Sequence, residues 1–248
     1  MIDLHSHVLP GLDDGARDLN EAVEICRAAA ADGTQVLAAT PHVREDYPTT
    51  PAEMEEALAR VREAVGNEIR LVPGGEVALD ELARPAEELR RFALGGNTRY
   101  LLVETPYVGW PLDFGDRLFQ LRAAVGLTPV LAHPERNRDV QARPALLEPL
   151  VSAGVLVQLT AASIDGRLDS RSRVCAKTLL ELGLAHLIAS DAHAPTLRAV
   201  GLSSAARAVG DDALARWLTE EVPAAILDGS ELPERPGERR RGWLRRLR

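Results

Sequence analysis

Cysteine and lysine are almost missing from this chain of 248 residues: there are two Cys, Cys26 and Cys175, and one Lys, Lys177, among 29 basic side chains. Both Cys fall inside helical patterns, which excludes a disulfide framework and makes a reducing cytoplasm the expected setting. The shortage of Lys reads as codon bias in a GC-rich genome and carries no mechanism. No apolar run approaches ~18 residues, which excludes a transmembrane helix. Met1-Ile2-Asp3 opens without the basic and apolar regions of a secretion signal, again the expectation for a cytoplasmic protein. Positive charge is also scarce outside one place. The net charge is −8, yet residues 235–248 hold seven Arg against one Glu, so this +6 segment leaves −14 on the rest. A body this acidic is a poor match for nucleic acid.

What is present is an ordinary soluble composition, 46% hydrophobic and 27% charged, long enough for one large α/β domain or two small ones. Apolar strand candidates at 1–5, 35–40, 69–76, 99–104, 127–133, 154–160 and 186–191 alternate with amphipathic stretches near 19–32, 52–65, 80–93, 113–125, 144–153 and 170–183. Two further helical stretches follow, near 196–209 and 211–227. Leu19, Ala22, Val23, Ile25, Cys26 and Ala29 make a 3.6-period face that stops at Asp32-Gly33. Thr50-Pro51-Ala52-Glu53 is a capping box with Pro at the first helical position. Strand–helix alternation predicts parallel pairing with right-handed crossovers, and seven such units predict a closed or nearly closed barrel.

The polar residues collect at the strand ends. The first strand ends on His5 and His7, which an extended chain points to one face. Asp14 follows in the turn Gly11-Leu12-Asp13-Asp14-Gly15. Later strands run into His42, Glu76, Glu104, His133 and the pair Asp191 and His193, while the sixth ends at Gln158 and Thr160. In a parallel barrel all these ends share one rim, where active sites are built. Five imidazoles and four carboxylates thus converge. They are His5, His7, His42, His133 and His193 with Asp14, Glu76, Glu104 and Asp191, which uses five of the six His. The sixth, His186, starts its strand at the opposite rim and reads as a solvated or capping residue. Nine donors oversupply one ion, so two or three divalent ions sharing bridging carboxylates are expected. Mixed His and carboxylate ligation without thiolate suits Mn²⁺, Fe²⁺, Co²⁺ or Zn²⁺, and the ligand types alone do not choose among them.

These segments resemble a known superfamily. Asp3-x-His5-x-His7, Gly11-x-Asp13-Asp14-Gly15, Ala39-Thr40-Pro41-His42, Gly75-Glu76-Val77, His133-Pro134-Glu135-Arg136 and Ala189-Ser190-Asp191-Ala192-His193 look like the PHP (polymerase and histidinol phosphatase) motifs, in order, across residues 1 to about 230. Within it the chain is most similar to the capsule- and exopolysaccharide-type bacterial tyrosine-protein phosphatases, the CpsB/YwqE-like group. The resemblance implies a distorted seven-stranded (β/α) TIM-like barrel over residues 1–232, with a flexible basic tail at 233–248. It implies metal-dependent hydrolysis of phosphotyrosine on a protein, a bacterial tyrosine kinase controlling polysaccharide synthesis, by attack of a metal-bridging hydroxide. Carried over, His5, His7, Glu76 and Asp191 hold one ion, Glu76, Glu104 and His133 a second, and Asp14, His42 and His193 a third. Asp13 and Asp14 remain alternatives at that corner.

Arg136 matches the family's phosphate-binding Arg, whose fork can hold two phosphate oxygens. Arg138 and Arg198 are further candidates of that kind. Where relatives often carry an aromatic residue after this Arg, this chain has Asn137. Tyr47, Tyr107 and Trp110 sit on loops where they could line a pocket for a phenyl ring. His42 and His193 are candidate proton donors, although ligand roles compete with that use. Cysteine-based phosphatase chemistry is excluded, since Asp32 and Glu181 stand where a Cys-x5-Arg loop needs Arg. Another PHP-type phosphoesterase, acting on histidinol phosphate or on phosphodiesters, is the alternative activity. A regulatory protein that only binds the kinase is the non-enzymatic one. Residues 239–248 could touch anionic lipid through Trp243, Leu244 and Leu247 or remain a disordered basic terminus.

Overall fold

A computed structural model describes residues 1–96, 99–195 and 200–237. Helices and short parallel strands alternate, as the periodicity predicts. Among the described residues the strands are β1 (Ile2–Asp3), β2 (Val36–Ala39), β3 (His42–Arg44), β4 (Tyr47–Pro48), β5 (Arg70–Pro73), β6 (Glu76–Val77), β7 (Tyr100–Glu104), β8 (Thr128–Ala132), β9 (Leu156–Thr160) and β10 (Leu187–Ala189). They form two sheets, ordered β1-β2-β5 and β10-β9-β8-β7-β6-β3-β4. Every pairing is parallel except β3 with β4.

These ladders do not make the single closed seven-stranded barrel expected from the sequence, and the reasons are local. Strand candidates 35–40 and 69–76 both break where they reach the polar rim. Pro41 removes a backbone donor between β2 and β3. Gly74 and Gly75 separate β5 from β6. A Cβ on Gly74 would lie 2.8 Å from Cγ2 of Thr40, and one on Gly75 would lie 2.6 Å from Cδ1 of Phe92, so only glycine lets the chain pass between the two. Between β1 and β10 the ladder shrinks to a lone parallel bridge, Ser6 with Ala192.

The helices follow their sequence signals. Asp18 caps Leu19–Ala31 by accepting from the backbone N of Glu21, and Ala22, Ile25, Cys26 and Ala29 are buried. Thr50 and Glu53 complete the expected capping box on Pro51–Val65. The stretch 80–93 splits at Pro85 into a 3-10 turn, Leu79–Ala83, and a helix, Ala86–Arg91. Arg138–Ala142 and Ala161–Asp165 are short helices that the periodicity did not single out. Residues 196–199, at the start of the expected 196–209 helix and including Arg198, lie outside the described residues, and the helix is described as Leu202–Val209.

The strands carry the core. Leu4, Leu37, Leu101, Leu102, Val130, Leu131, Val157, Leu159 and Ile188 are fully buried, each contributing roughly 1.5–3 kcal/mol of apolar transfer. Cys26 and Cys175 are free and buried. Burial pushes both thiols up to about 12, which leaves them inert as nucleophiles. His186 accepts from the backbone N of Val157 at 3.1 Å and tilts against Trp217. The indole N–H of Trp217 donates to Pro233 O, and Arg235 donates to Leu180 O. Among the described residues no helix is long and apolar enough to cross a membrane. The lipid-contacting segment expected at 239–248 lies outside them.

Candidate metal centre

All nine expected donors meet at the strand ends. Their ligating atoms fall into four overlapping groups, each within 4.8 Å: His7 with Asp14, His42 and His193; His5 with His7 and Glu76; His5 with His133 and Asp191; and His42 with Glu76 and Glu104. Glu76 is the hub. Its Oε2 lies 3.3 Å from Nε2 of His5, 3.4 Å from Nε2 of His7 and 2.9 Å from Nδ1 of His42. Its Oε1 lies 2.7 Å from Nε2 of His133. Asp191 Oδ1 closes the far side, 3.6 Å from His5 and 3.4 Å from His7.

The grouping differs from the implied partition. Glu104 groups with His42 and not with His133, His133 and Asp191 group together with His5, and His7 also joins Asp14, His42 and His193. The register explains it, because β3 and β6 pair His42 directly with Glu76. His42 therefore turns Nδ1 to Glu76 and Nε2 to Asp14, at 3.5 Å.

Two backbone positions show how the chain aims its donors. His133, just past β8, has φ 39°, and Asp191, past β10, has φ 55°; they are the non-glycine residues with positive φ among those described. Such conformations cost of order 1–3 kcal/mol and persist where the surroundings hold them. Gly15 serves the same end by a close approach, since a Cβ there would sit 2.0 Å from the carbonyl O of His7.

A second layer, not legible from spacing, orients the imidazoles. Asp13 Oδ2 lies 2.7 Å from His7 Nδ1 and accepts from the backbone N of His42 at 2.9 Å. The Asp-Asp ambiguity thus divides by role: Asp14 faces the donor groups and Asp13 orients His7. Gln158 Oε1 lies 2.9 Å from Nδ1 of His5. Asp3 Oδ1 accepts from the backbone N of His5 and of Ser190, joining β1 to β10. Arg44 donates to Glu104 at 2.9 Å. Metal-ligating His ordinarily has such a partner on its other nitrogen.

Burial alone would push these carboxyls up. For Glu76 burial is the largest influence, yet His5 and His133 outweigh it and hold the carboxyl well below its ordinary value. His5, His7 and His133 do the same for Asp191. Glu104 is raised, by burial first and then by the charge of Glu76. A hydrogen bond from His193 holds Asp14 low.

The donor set fits a metal cluster on an observation of its own. Glu76 Oε2 and His42 Nδ1 are buried and make no hydrogen bond, although they lie 2.9 Å apart. Buried polar atoms left in that state are costly unless a cation satisfies them. Oxygen and imidazole donors without sulfur suit a divalent first-row ion.

Arg136 stands beside the cluster. Its Nη1 donates to Asp191 Oδ2 at 2.6 Å, and its guanidinium carbon lies 4.7 Å from the Tyr107 ring centroid. Tyr107 in turn stacks on His133, with centroids 5.7 Å apart and planes 4° apart. Tyr47 stacks on His42 at 5.8 Å, and Arg44 lies 5.1 Å over Tyr47. Trp110 packs on Phe114 and is partly buried. Arg138 is placed elsewhere: it is exposed and lines a cavity of about 470 Å³ with Gln141, Ser170, Arg171 and Cys175, which none of the nine donors touches.

The family model for capsular polysaccharide synthesis, CpsB/CapC, matches residues 1–226. Tyrosine-protein phosphatase YwqE of Bacillus subtilis (strain 168) is 34% identical over 197 residues, covering 78% of this chain and 77% of that protein. A putative tyrosine-protein phosphatase CapC of Staphylococcus aureus is 31% identical over 205 residues, covering 80% and 79%. A solved structure from work on YwqE of B. subtilis and CpsB of Streptococcus pneumoniae, described as unique metal-dependent tyrosine phosphatases, superposes with a TM-score of 0.84 at 29% identity, covering 95% of this chain and 98% of that one. A zinc-bound amidohydrolase from Burkholderia, 14% identical with a TM-score of 0.50, shares the fold alone. With the family model matched over residues 1–226, nearly its whole length, the chain belongs to the CpsB/CapC family of capsular polysaccharide synthesis.

Proposed function

We propose that this chain is a metal-dependent protein-tyrosine phosphatase acting on a bacterial tyrosine kinase in capsule or exopolysaccharide synthesis. The observation that carries the reading is Arg136, a guanidinium bonded to Asp191 beside a nine-donor cluster. It supplies a phosphate clamp next to a site for clustered cations.

His5, His7, Glu76, Asp191, Glu104, His133, Asp14, His42 and His193 would hold two or three divalent ions, Mn²⁺ first among them. When bound, such ions bring the pKa of a water toward ~7 and neutralise phosphoryl charge. The protein's own residues do the rest. Glu76 bridges the donor groups, while Asp13 and Gln158 fix the imidazoles of His7 and His5. Arg136 holds phosphate oxygens in line and stabilises the charge that develops on them. A tyrosyl leaving oxygen has a pKa near ~10 and needs little protonation help. Of the two candidate donors, His193 is the more open, with its side chain 16% exposed against 5% for His42. We further read the two sheets as one distorted seven-position barrel, since β2 leads into β3, β5 into β6, and the Ser6–Ala192 bridge spans β1 and β10.

The test compares release of phosphate from a phosphotyrosyl peptide and from histidinol phosphate, with and without a chelator. Chelator-sensitive turnover of the peptide supports the proposal. Preference for histidinol phosphate would move the chain to another branch of phosphoesterases. Turnover that is unchanged in Glu76→Gln would remove the catalytic assignment.

A further inference from the structure

The segment 105–113, between β7 and the helix Phe114–Gln120, is bonded at two of its carbonyls by one side chain. Asn137 Nδ2 donates to Pro106 O at 2.6 Å and to Gly109 O at 3.0 Å. The next backbone N, that of Arg138, donates to Tyr107 O at 3.2 Å. Asn137 is 1% exposed, so the anchoring amide is buried while the loop carbonyls it holds lie nearer the surface. Its other atom, Oδ1, is occupied differently: it accepts from the backbone N of Asp139 and Val140 and caps the helix Arg138–Ala142. One amide therefore fixes two things at once, the start of a helix and the position of the loop.

The clasp places Tyr107 between the cluster and solvent. One ring face lies parallel to His133, the Arg136 guanidinium sits 4.7 Å from its centroid, and the residue remains 41% exposed. Val108, next along, is 65% exposed. An exposed aromatic and an exposed apolar residue thus stand beside the guanidinium expected to hold phosphate. A phosphate held by that guanidinium would have its ester group within reach of this exposed wall. An aryl group can pack against the exposed parts of Tyr107 and Val108, while a short alkyl chain gains little.

We propose that Tyr107 is the specificity-determining residue that selects aryl over alkyl phosphates, and that Asn137 is its positioning residue. The proposal rests on the phosphatase reading above and deepens it.

The experiment measures binding of phenylphosphonate and methylphosphonate to the metal-loaded protein by calorimetry, so turnover is not needed. Wild type should favour the phenyl compound. Tyr107→Ala should lower phenylphosphonate affinity about five- to tenfold with little change for methylphosphonate, and Tyr107→Phe should restore it. Asn137→Asp keeps the helix cap but loses both N–H donors, and should reproduce the selective loss while circular dichroism stays unchanged. Equal loss for both ligands, or no loss in Tyr107→Ala, overturns the assignment of Tyr107. A selective loss in Tyr107→Ala that Asn137→Asp fails to reproduce overturns the positioning role. Failure of the phosphatase reading is seen separately, as absence of phosphotyrosyl turnover in the wild type.

Discussion

Arg136 Nη1 lies 2.6 Å from Asp191 Oδ2, while Oδ1 of the same carboxylate faces His5 and His7. One carboxylate thus joins the proposed phosphate clamp to the donor cluster. Burial opposes the guanidinium charge, but Asp191 and its neighbours outweigh this and keep Arg136 protonated. Arg136→Lys keeps the charge and loses the fork. It should lower kcat/KM for a phosphotyrosyl peptide by about 10²-fold, with metal content unchanged by elemental analysis. Wild-type kinetics in this variant would remove Arg136 from phosphate binding.

Glu76 contacts four imidazoles, so its loss should disperse the cluster. Mn²⁺ should raise the Tm of wild type, and Glu76→Gln is expected to reduce bound metal per chain and to abolish that rise, because ligand-linked stabilisation needs the intact site. Equal metal content and equal thermal shift in both proteins would refute its role as hub.

Asp13 acts through His7 and the backbone N of His42. Asp13→Asn should weaken Mn²⁺ affinity about 10- to 100-fold, the usual effect of losing an orienting partner, measured by titration into chelator-treated protein. Unaltered affinity would mean that His7 keeps its orientation without Asp13.

His186 gives a pH dependence away from the cluster. Burial, aided by the charge of Arg235, depresses its pKa to about 4, against ~6.5 in an unfolded chain. As pH falls below ~6.5 the unfolded state takes up a proton that the folded state refuses until about pH 4. Its neutral burial is therefore free of this cost above ~6.5, and stability is lost progressively on acidification toward about 4. His186→Gln should flatten the slope of unfolding free energy against pH in that window by about one proton, read from denaturant curves at pH steps. An identical slope would place the titration elsewhere.

Sequence showed the donors because they sit at strand ends, where period-2 alternation and turn chemistry leave a visible mark. It did not show Asp13 and Gln158 as orienting groups, since nothing in spacing tells which imidazole nitrogen each will meet. The strand breaks at Pro41 and Gly74-Gly75 were present as letters, yet the apolar runs read through them. The β3–β4 pair was too short to carry a period, with Val43 opposite Pro48 and Arg44 opposite Tyr47. Tyr107 was noticed as a loop aromatic, but its stack on His133 depends on an amide 30 positions later in the chain.

The left-handed backbones of His133 and Asp191 have a consequence for selection. Glycine would fit both conformations better and would relax the fold there, but each exchange deletes a donor. Thermostability and catalysis therefore pull in opposite directions at the same two dihedral angles. A library screened only for heat resistance in metal-free buffer, where the donors add no ligand-linked stability, should drift toward Gly or Asn at 133 and 191, yielding sturdier proteins that no longer turn over substrate.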